Sequence, residues 1–178
     1  MLPSLAACSS ADVHTFVSET LADHHLLEQF SSGNPALDVW LQSHAHHAQS
    51  MRTVRTFVCH TGDRVVVAYF SLAAHLVVRA ELPPKIGRGS PDAIPAVLLA
   101  RLALHRSLHG QGLGGELLVD ALSRTVQASG VAAARLVVVD AIDEAAASFY
   151  EHHGFVAVPG NPQRLVQKIS DIAAALGG

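Results

Sequence analysis

An apolar stretch over residues 94–104 is followed by His109-Gly110-Gln111-Gly112-Leu113-Gly114-Gly115 and then by an amphipathic pattern over residues 116–127. This order constrains the chain more than any other feature. It spells strand, glycine turn and helix start, a unit that must lay its helix on a sheet. The same layout turns several backbone N–H groups outward at the positive end of a helix dipole, which suits a phosphate. The glycines also read simply as a tight turn. No Gly-Lys-Ser/Thr follows, which excludes a P-loop NTPase. Gly110, Gly112 and Gly115 formally match Gly-x-Gly-x-x-Gly, but the run lies past mid-chain and Asp140 is too far on for the ribose-binding acid of a Rossmann unit.

The length of 178 residues suggests a single domain over residues 23–170, with residues 1–22 as a candidate flexible arm and 171–178 as a tail. No apolar run approaches a membrane span, and no basic segment precedes an apolar block at the N-terminus. Two cysteines, Cys8 and Cys59, make no disulfide framework, and a reducing cytoplasm is the default. The net charge of −3 is not that of a general nucleic-acid binder. Arginine nevertheless outnumbers lysine ten to two, and its planar fork suits phosphate.

Asn34 and Pro35 predict a helix start, with Leu37, Trp40 and Leu41 on its apolar face. Residues 55–60 and 64–72 flank Thr61-Gly62-Asp63 as a strand pair, and residues 74–80 read as a third strand. Four prolines and two glycines make residues 81–95 a long surface loop. A strand over 96–104, the glycine loop, and a helix over 115–129 come next. Residues 135–141 read as a central strand, Asp143 caps a short helix through His153, and residues 155–158 and 165–169 close the chain as strands. The fold class is mixed α+β.

At this point the chain resembles the GNAT acetyltransferases. Their strand-to-helix signature, Gln/Arg-x-x-Gly-x-Gly/Ala, aligns with His109 through Gly114, with His109 where Gln or Arg is usual. Phe149-Tyr150 followed by Gly154-Phe155 is similar to a second family element. Phe30 through Leu41, Ala68 through Leu72, and Pro91 through Ala103 resemble, in order, the GNAT toxins of bacterial toxin–antitoxin pairs. The match runs over residues 27–165.

The resemblance implies a GNAT fold, a central and mostly antiparallel sheet flanked by helices. It implies transfer of acetyl from acetyl-CoA to the α-amino group of aminoacyl-tRNA, which blocks translation. It further implies a ribbon-helix-helix antitoxin, a homodimer and a cytoplasmic location. Its cofactor-binding residues are Leu102, Ala103, Leu104, His109, Gly110, Gln111, Gly112, Leu113, Gly114 and Gly115, and its catalytic acid is Tyr150. Two alternatives remain at this stage. One is a GNAT enzyme acting on a small amine or a protein N-terminus, towards which the net charge leans. The other is a non-catalytic GNAT-like binding subunit.

Arg101 lies in a strand, where it reaches a cavity and meets tRNA or else marks a sheet edge. Arg79, Lys85 and Arg88 flank the proline-rich loop and contact tRNA phosphates or only solvent. His44, His46, His47, His152 and His153 lack a completing cysteine or carboxylate, so no metal is expected and solvent-facing helix positions are. Trp40 is expected in the core rather than as a stacking platform.

Overall fold

The computed structural model describes residues 16–177. Seven strands hydrogen-bond in the order β1-β2-β3-β4-β5-β7-β6: β1 (Val17–Thr20), β2 (Arg55–His60), β3 (Ala68–Val78), β4 (Ala93–Leu104), β5 (Leu136–Asp140), β6 (Val156–Val158) and β7 (Asn161–Lys168). The helices are α1 (Pro35–Ser43), α2 (Ala45–Ser50), α3 (Pro84–Gly87), α4 (Leu113–Ser129), α5 (Glu144–His152) and α6 (Ile169–Leu176). None of the described helices is long and apolar enough to cross a membrane. The described residues fall into two compact units.

The first unit comprises residues 16–71 and Arg101–Asp120. Its α1 starts where the sequence places it. The Asn34 side-chain oxygen accepts the Ala36 N–H at 3.0 Å, Pro35 opens the helix, and Asp38 accepts from both the N–H and the hydroxyl of Ser32. These contacts satisfy donors at the helix start and aim its apolar face inward. Leu41 is fully buried there with Phe30, Val58 and Tyr69, and burial of one such leucine contributes about 1.5–3 kcal/mol.

Residues 17–22 are not the loose arm expected of them. β1 pairs antiparallel with β2, Val17 opposite His60 through Thr20 opposite Phe57, and the Ser18 hydroxyl donates to Asp120. A polar edge strand held by long-range partners leaves no apolar period to read. The remainder of that segment, residues 1–15, lies outside the described residues.

The second unit comprises Leu72–Ala100 and residues 121–177. β4 runs parallel to β5 from Ala96 opposite Leu136 to Leu99 opposite Val139, and β7 pairs antiparallel with the other edge of β5. β5 has strands on both sides and buried residues on both faces, which its unbroken valine run anticipated. Ile94, Leu136, Val138 and Val166 form the core.

Four boundaries differ from expectation. The strands read at 64–72 and 74–80 are one continuous strand, β3, which begins at Ala68 and ends at Val78. The loop over 81–95 contains α3, with Pro84 in its first turn, and ends at Ala93, so Pro95 lies inside β4. Pro95 offers its carbonyl to the Arg135 N–H at 2.8 Å, a bond that needs no donor from proline. Residues 171–178 are not a tail throughout, because α6 reaches Leu176 with Ile169 and Ile172 buried. The helix expected through His153 ends one residue earlier, and Asp143 caps it as expected, accepting the Ala146 N–H at 2.8 Å.

Candidate active site

The glycine loop belongs to the first unit. β4 ends at Leu104, and a 3-10 turn over Arg106–Leu108 leads into the loop. Gly110 and Gly112 have φ of +75° and +77°, a backbone that L side chains rarely adopt. Nothing lies within 4 Å of where a Cβ would stand on either, so the glycines serve conformation and approach rather than packing. The Gln111 amide donates to the Ser107 carbonyl at 3.1 Å. His109, in place of the family's Gln or Arg, has a ring Nε2 at 3.1 Å from the Leu104 carbonyl. A carbonyl only accepts, so His109 carries a proton on Nε2 and ties the loop back to the end of β4. Leu104, Leu108, Leu113 and Leu117 line a small apolar cavity beside Cys59 and anchor the loop from within.

α4 opens directly after the loop, at Leu113. The first N–H groups of a helix have no intrahelical partner, and those of Leu113, Gly114, Gly115 and Glu116 therefore need an acceptor from outside the helix. The exposed arc from Gly110 to Gly112 lies directly ahead of them. Of the β4 residues expected along a cofactor arm, Ala103 is buried and Leu102 and Leu104 are half-buried.

Tyr150 belongs to the second unit, on α5. It is 9% exposed and packs edge-on against Phe149 and Phe155, with ring centroids 5.2 and 5.5 Å away. Burial pushes its hydroxyl up to about 12, which disfavours the phenolate. The strand that leads into α5 is braced at its end: the Arg164 guanidinium grips both carboxylate oxygens of Asp140 at 2.7 and 2.8 Å. That fork holds the Asp140 carboxyl below its ordinary range.

The four expected tRNA-facing cations fall in different settings. Arg101, in the first unit, stacks its guanidinium 3.8 Å from the centroid of the Trp40 ring. Trp40 packs against the core as expected and lies parallel to Tyr69, which donates to the Leu37 carbonyl at 2.9 Å. Trp40 thus packs against the core and also carries the Arg101 guanidinium over its ring. Arg79, in the second unit, is occupied: it donates to the Ser90 carbonyl at 2.8 Å and pairs with Asp92 at 2.6 Å. Lys85 and Arg88 are exposed on and beside α3.

The histidines hold the feature the sequence concealed. His44 and His47 are exposed, but Glu19, His24 and His25 bring their ligand atoms within 4.8 Å of one another. The tautomers argue against a metal there. The Ala22 and Gly62 N–H groups donate to Nδ1 of His25 and of His60. Each ring must therefore carry its proton on Nε2, and both Nε2 atoms lie 2.9 Å from the same Glu19 oxygen. In that cluster His25 therefore presents a donor already committed to the carboxylate where a metal would need a lone pair. His60 is 41 positions from Glu19, so spacing alone gave no signal.

Residues 53–157 match the family model described as the acetyltransferase (GNAT) domain. The "tRNA-acetylating toxin" of Mycobacterium tuberculosis is 37% identical over 158 residues, covering 88% of this chain and 94% of that protein. The solved structure of AtaT complexed with acetyl-methionyl-tRNAfMet superposes with a TM-score of 0.83 at 30% identity, over 90% of this chain and 99% of that one. A tyrosine-to-phenylalanine mutant of the AtaT toxin, bound to the C-terminus of the antitoxin AtaR and acetyl-CoA, has a TM-score of 0.79 at 28% identity, over 92% and 99%.

Proposed function

This chain belongs to the GNAT acetyltransferase family, and from that premise we propose that it is the toxin of a bacterial toxin–antitoxin pair, an N-acetyltransferase that moves acetyl from acetyl-CoA to the α-amino group of aminoacyl-tRNA. The observation that carries this reading is the 37% identity to a tRNA-acetylating toxin over 88% of the chain, far more than a cofactor motif. An acylated amino group is no longer a nucleophile for peptide-bond formation, so translation stops. A ribbon-helix-helix antitoxin, a homodimeric state and a cytoplasmic location complete the reading.

Bound acetyl-CoA supplies the acetyl group as a thioester. The N–H groups of Leu113, Gly114 and Gly115, with the arc of Gly110, Gln111 and Gly112, hold the diphosphate, and His109 keeps that arc closed on β4. The main chain of Leu102, Ala103 and Leu104 aligns the pantetheine arm and offers an N–H to the thioester oxygen as charge develops. Tyr150 donates to the departing sulfur. The phenolate left on Tyr150 is reprotonated from solvent, and burial, which raises the hydroxyl to about 12, favours that return. The balance closes because the attacking nitrogen loses one proton as the sulfur gains one.

An α-amino group has a pKa of about 7.7–8.0, against about 10.4 for lysine. Enough of the α-amine is neutral at pH 7 to attack without a dedicated base, and water takes the excess proton. Arg101, Lys85 and Arg88 are the cations we assign to tRNA contact, while Arg79 is engaged by Asp92 and Ser90.

The test offers labelled acetyl-CoA to the protein with charged tRNA, uncharged tRNA, peptides and small amines. Label that appears on charged tRNA only, and leaves as an N-acetyl amino acid when the ester is hydrolysed, is expected. Label on the peptides or amines alone would overturn the tRNA assignment.

A further inference from the structure

The Arg101–Trp40 contact is more than a packing detail. Tyr69, Trp40 and Arg101 form a cluster: Tyr69 is buried, fixed by its hydroxyl to Leu37 and met edge-on by Phe30, Trp40 lies parallel to it, and the Arg101 guanidinium lies over the Trp40 ring. Among the described residues the Arg101 guanidinium has neither an ion-pair partner nor a hydrogen bond, only the Trp40 ring. Asp38, whose charge reaches Tyr69, is already engaged by Ser32. Partial burial lowers the Arg101 pKa, which reflects a cation stripped of some of its water and compensated by no carboxylate. Stacking uses only the face of a guanidinium and leaves its in-plane N–H edges free for an anion.

The position of Arg101 selects the anion. It stands one residue before Leu102 on β4, with the glycine loop beyond the far end of Leu102–Leu104. Each strand residue advances about 3.3 Å. Passing back along β4 from the diphosphate loop, Arg101 therefore comes after the residues assigned to the cofactor arm, at the end where the acceptor arrives.

We propose that Arg101, held face-on by Trp40, binds a backbone phosphate of the single-stranded 3′ end of the acceptor tRNA, next to the aminoacyl ester, and so makes this enzyme prefer charged tRNA over a free amine. The proposal rests on the aminoacyl-tRNA reading and gives that reading its contact.

The test follows initial rates on charged tRNA across a salt series. One lost contact to single-stranded phosphate lowers the slope of log KM against log salt by about 0.7. Arg101→Met, which keeps the aliphatic stem over the indole, is expected to lower the slope by about that much and to raise KM roughly tenfold. It is also expected to reduce the ratio of kcat/KM on charged tRNA to that on 3′-O-aminoacyl-adenosine, which has no phosphate. Arg101→Lys is expected to restore the slope while KM stays raised, because an ammonium lacks the planar stack. Should Arg101→Met fail to fold, Arg101→Gln carries the same slope test. A wild-type slope and KM in the variant would overturn the proposal. Failure of the wild-type protein to acetylate charged tRNA would instead overturn the parent reading, and the two outcomes are read in separate samples.

Discussion

Glu19 Oε1 accepts the Nε2–H of the fully buried His25 ring at 2.9 Å. A second such bond from His60 holds the Glu19 carboxyl well below its ordinary 4.5, at about 2, and ties β1 to both the following loop and the end of β2. A group whose folded pKa is depressed contributes stability above its unfolded pKa, and that contribution is lost as pH falls through the folded value. The stabilisation by Glu19 is therefore complete above pH 4.5 and disappears between about pH 4.5 and 2. The carboxylate is 42% exposed, so solvent screening reduces the effect below what the shift alone implies. Melting temperature followed from pH 6 to pH 2 is expected to fall less steeply for Glu19→Gln than for wild type; parallel curves would remove Glu19 from the acid limb.

Tyr150→Phe removes one oxygen and keeps the ring between Phe149 and Phe155. Loss of a positioned proton donor costs about 10²–10⁴ in rate. The expected result is a kcat reduced by that range with the dissociation constant for acetyl-CoA unchanged. A variant at full turnover would show that Tyr150 only packs α5.

Gly112→Ala meets no neighbour, since nothing lies within 4 Å of the added methyl. Its cost is all backbone, because φ of +77° penalises a Cβ by roughly 1–2 kcal/mol. Where the loop relaxes to escape that strain, the N–H arc is lost. Calorimetric titration with coenzyme A is expected to show about tenfold weaker binding, equivalent to about 1.4 kcal/mol.

Asp143→Ala deletes the cap of α5, a bond of 2.8 Å to the Ala146 N–H. Such a loss costs about 1 kcal/mol, which for a chain of this size lowers the melting temperature by about 2–4 °C. Differential scanning calorimetry checks the value. A larger drop would mean that the acidic loop carries more than the helix start.

Local chemistry was legible in the sequence where one residue sufficed to set it. Asn34 and Asp143 start their helices, glycines at 110 and 112 turn the loop, and the valine run of β5 is central, because each depends on backbone rules acting over a few residues. The resemblance also pointed to Tyr150, though not to the burial that raises its hydroxyl to about 12. What stayed hidden depends on partners far apart in the chain. β1 shows no apolar alternation, and it exists because β2 pairs with it and Asp120 meets Ser18 across 102 positions. The stack of Arg101 on Trp40 joins a strand to a helix 61 residues earlier, 101 − 40, and converts a charge of uncertain purpose into a held cation. Sequence alone therefore determined where the chain turns, which helices start where, and which cofactor chemistry the loop suits. Tertiary structure decided which charges are free and which are spent: Arg79 neutralised by Asp92, Glu19 saturated by two histidines, and Arg101 left with its edges open. The physical reason is that the state of a charge is set by burial and by the partner brought within hydrogen-bond reach, and both come from the packing of distant segments rather than from the residue itself.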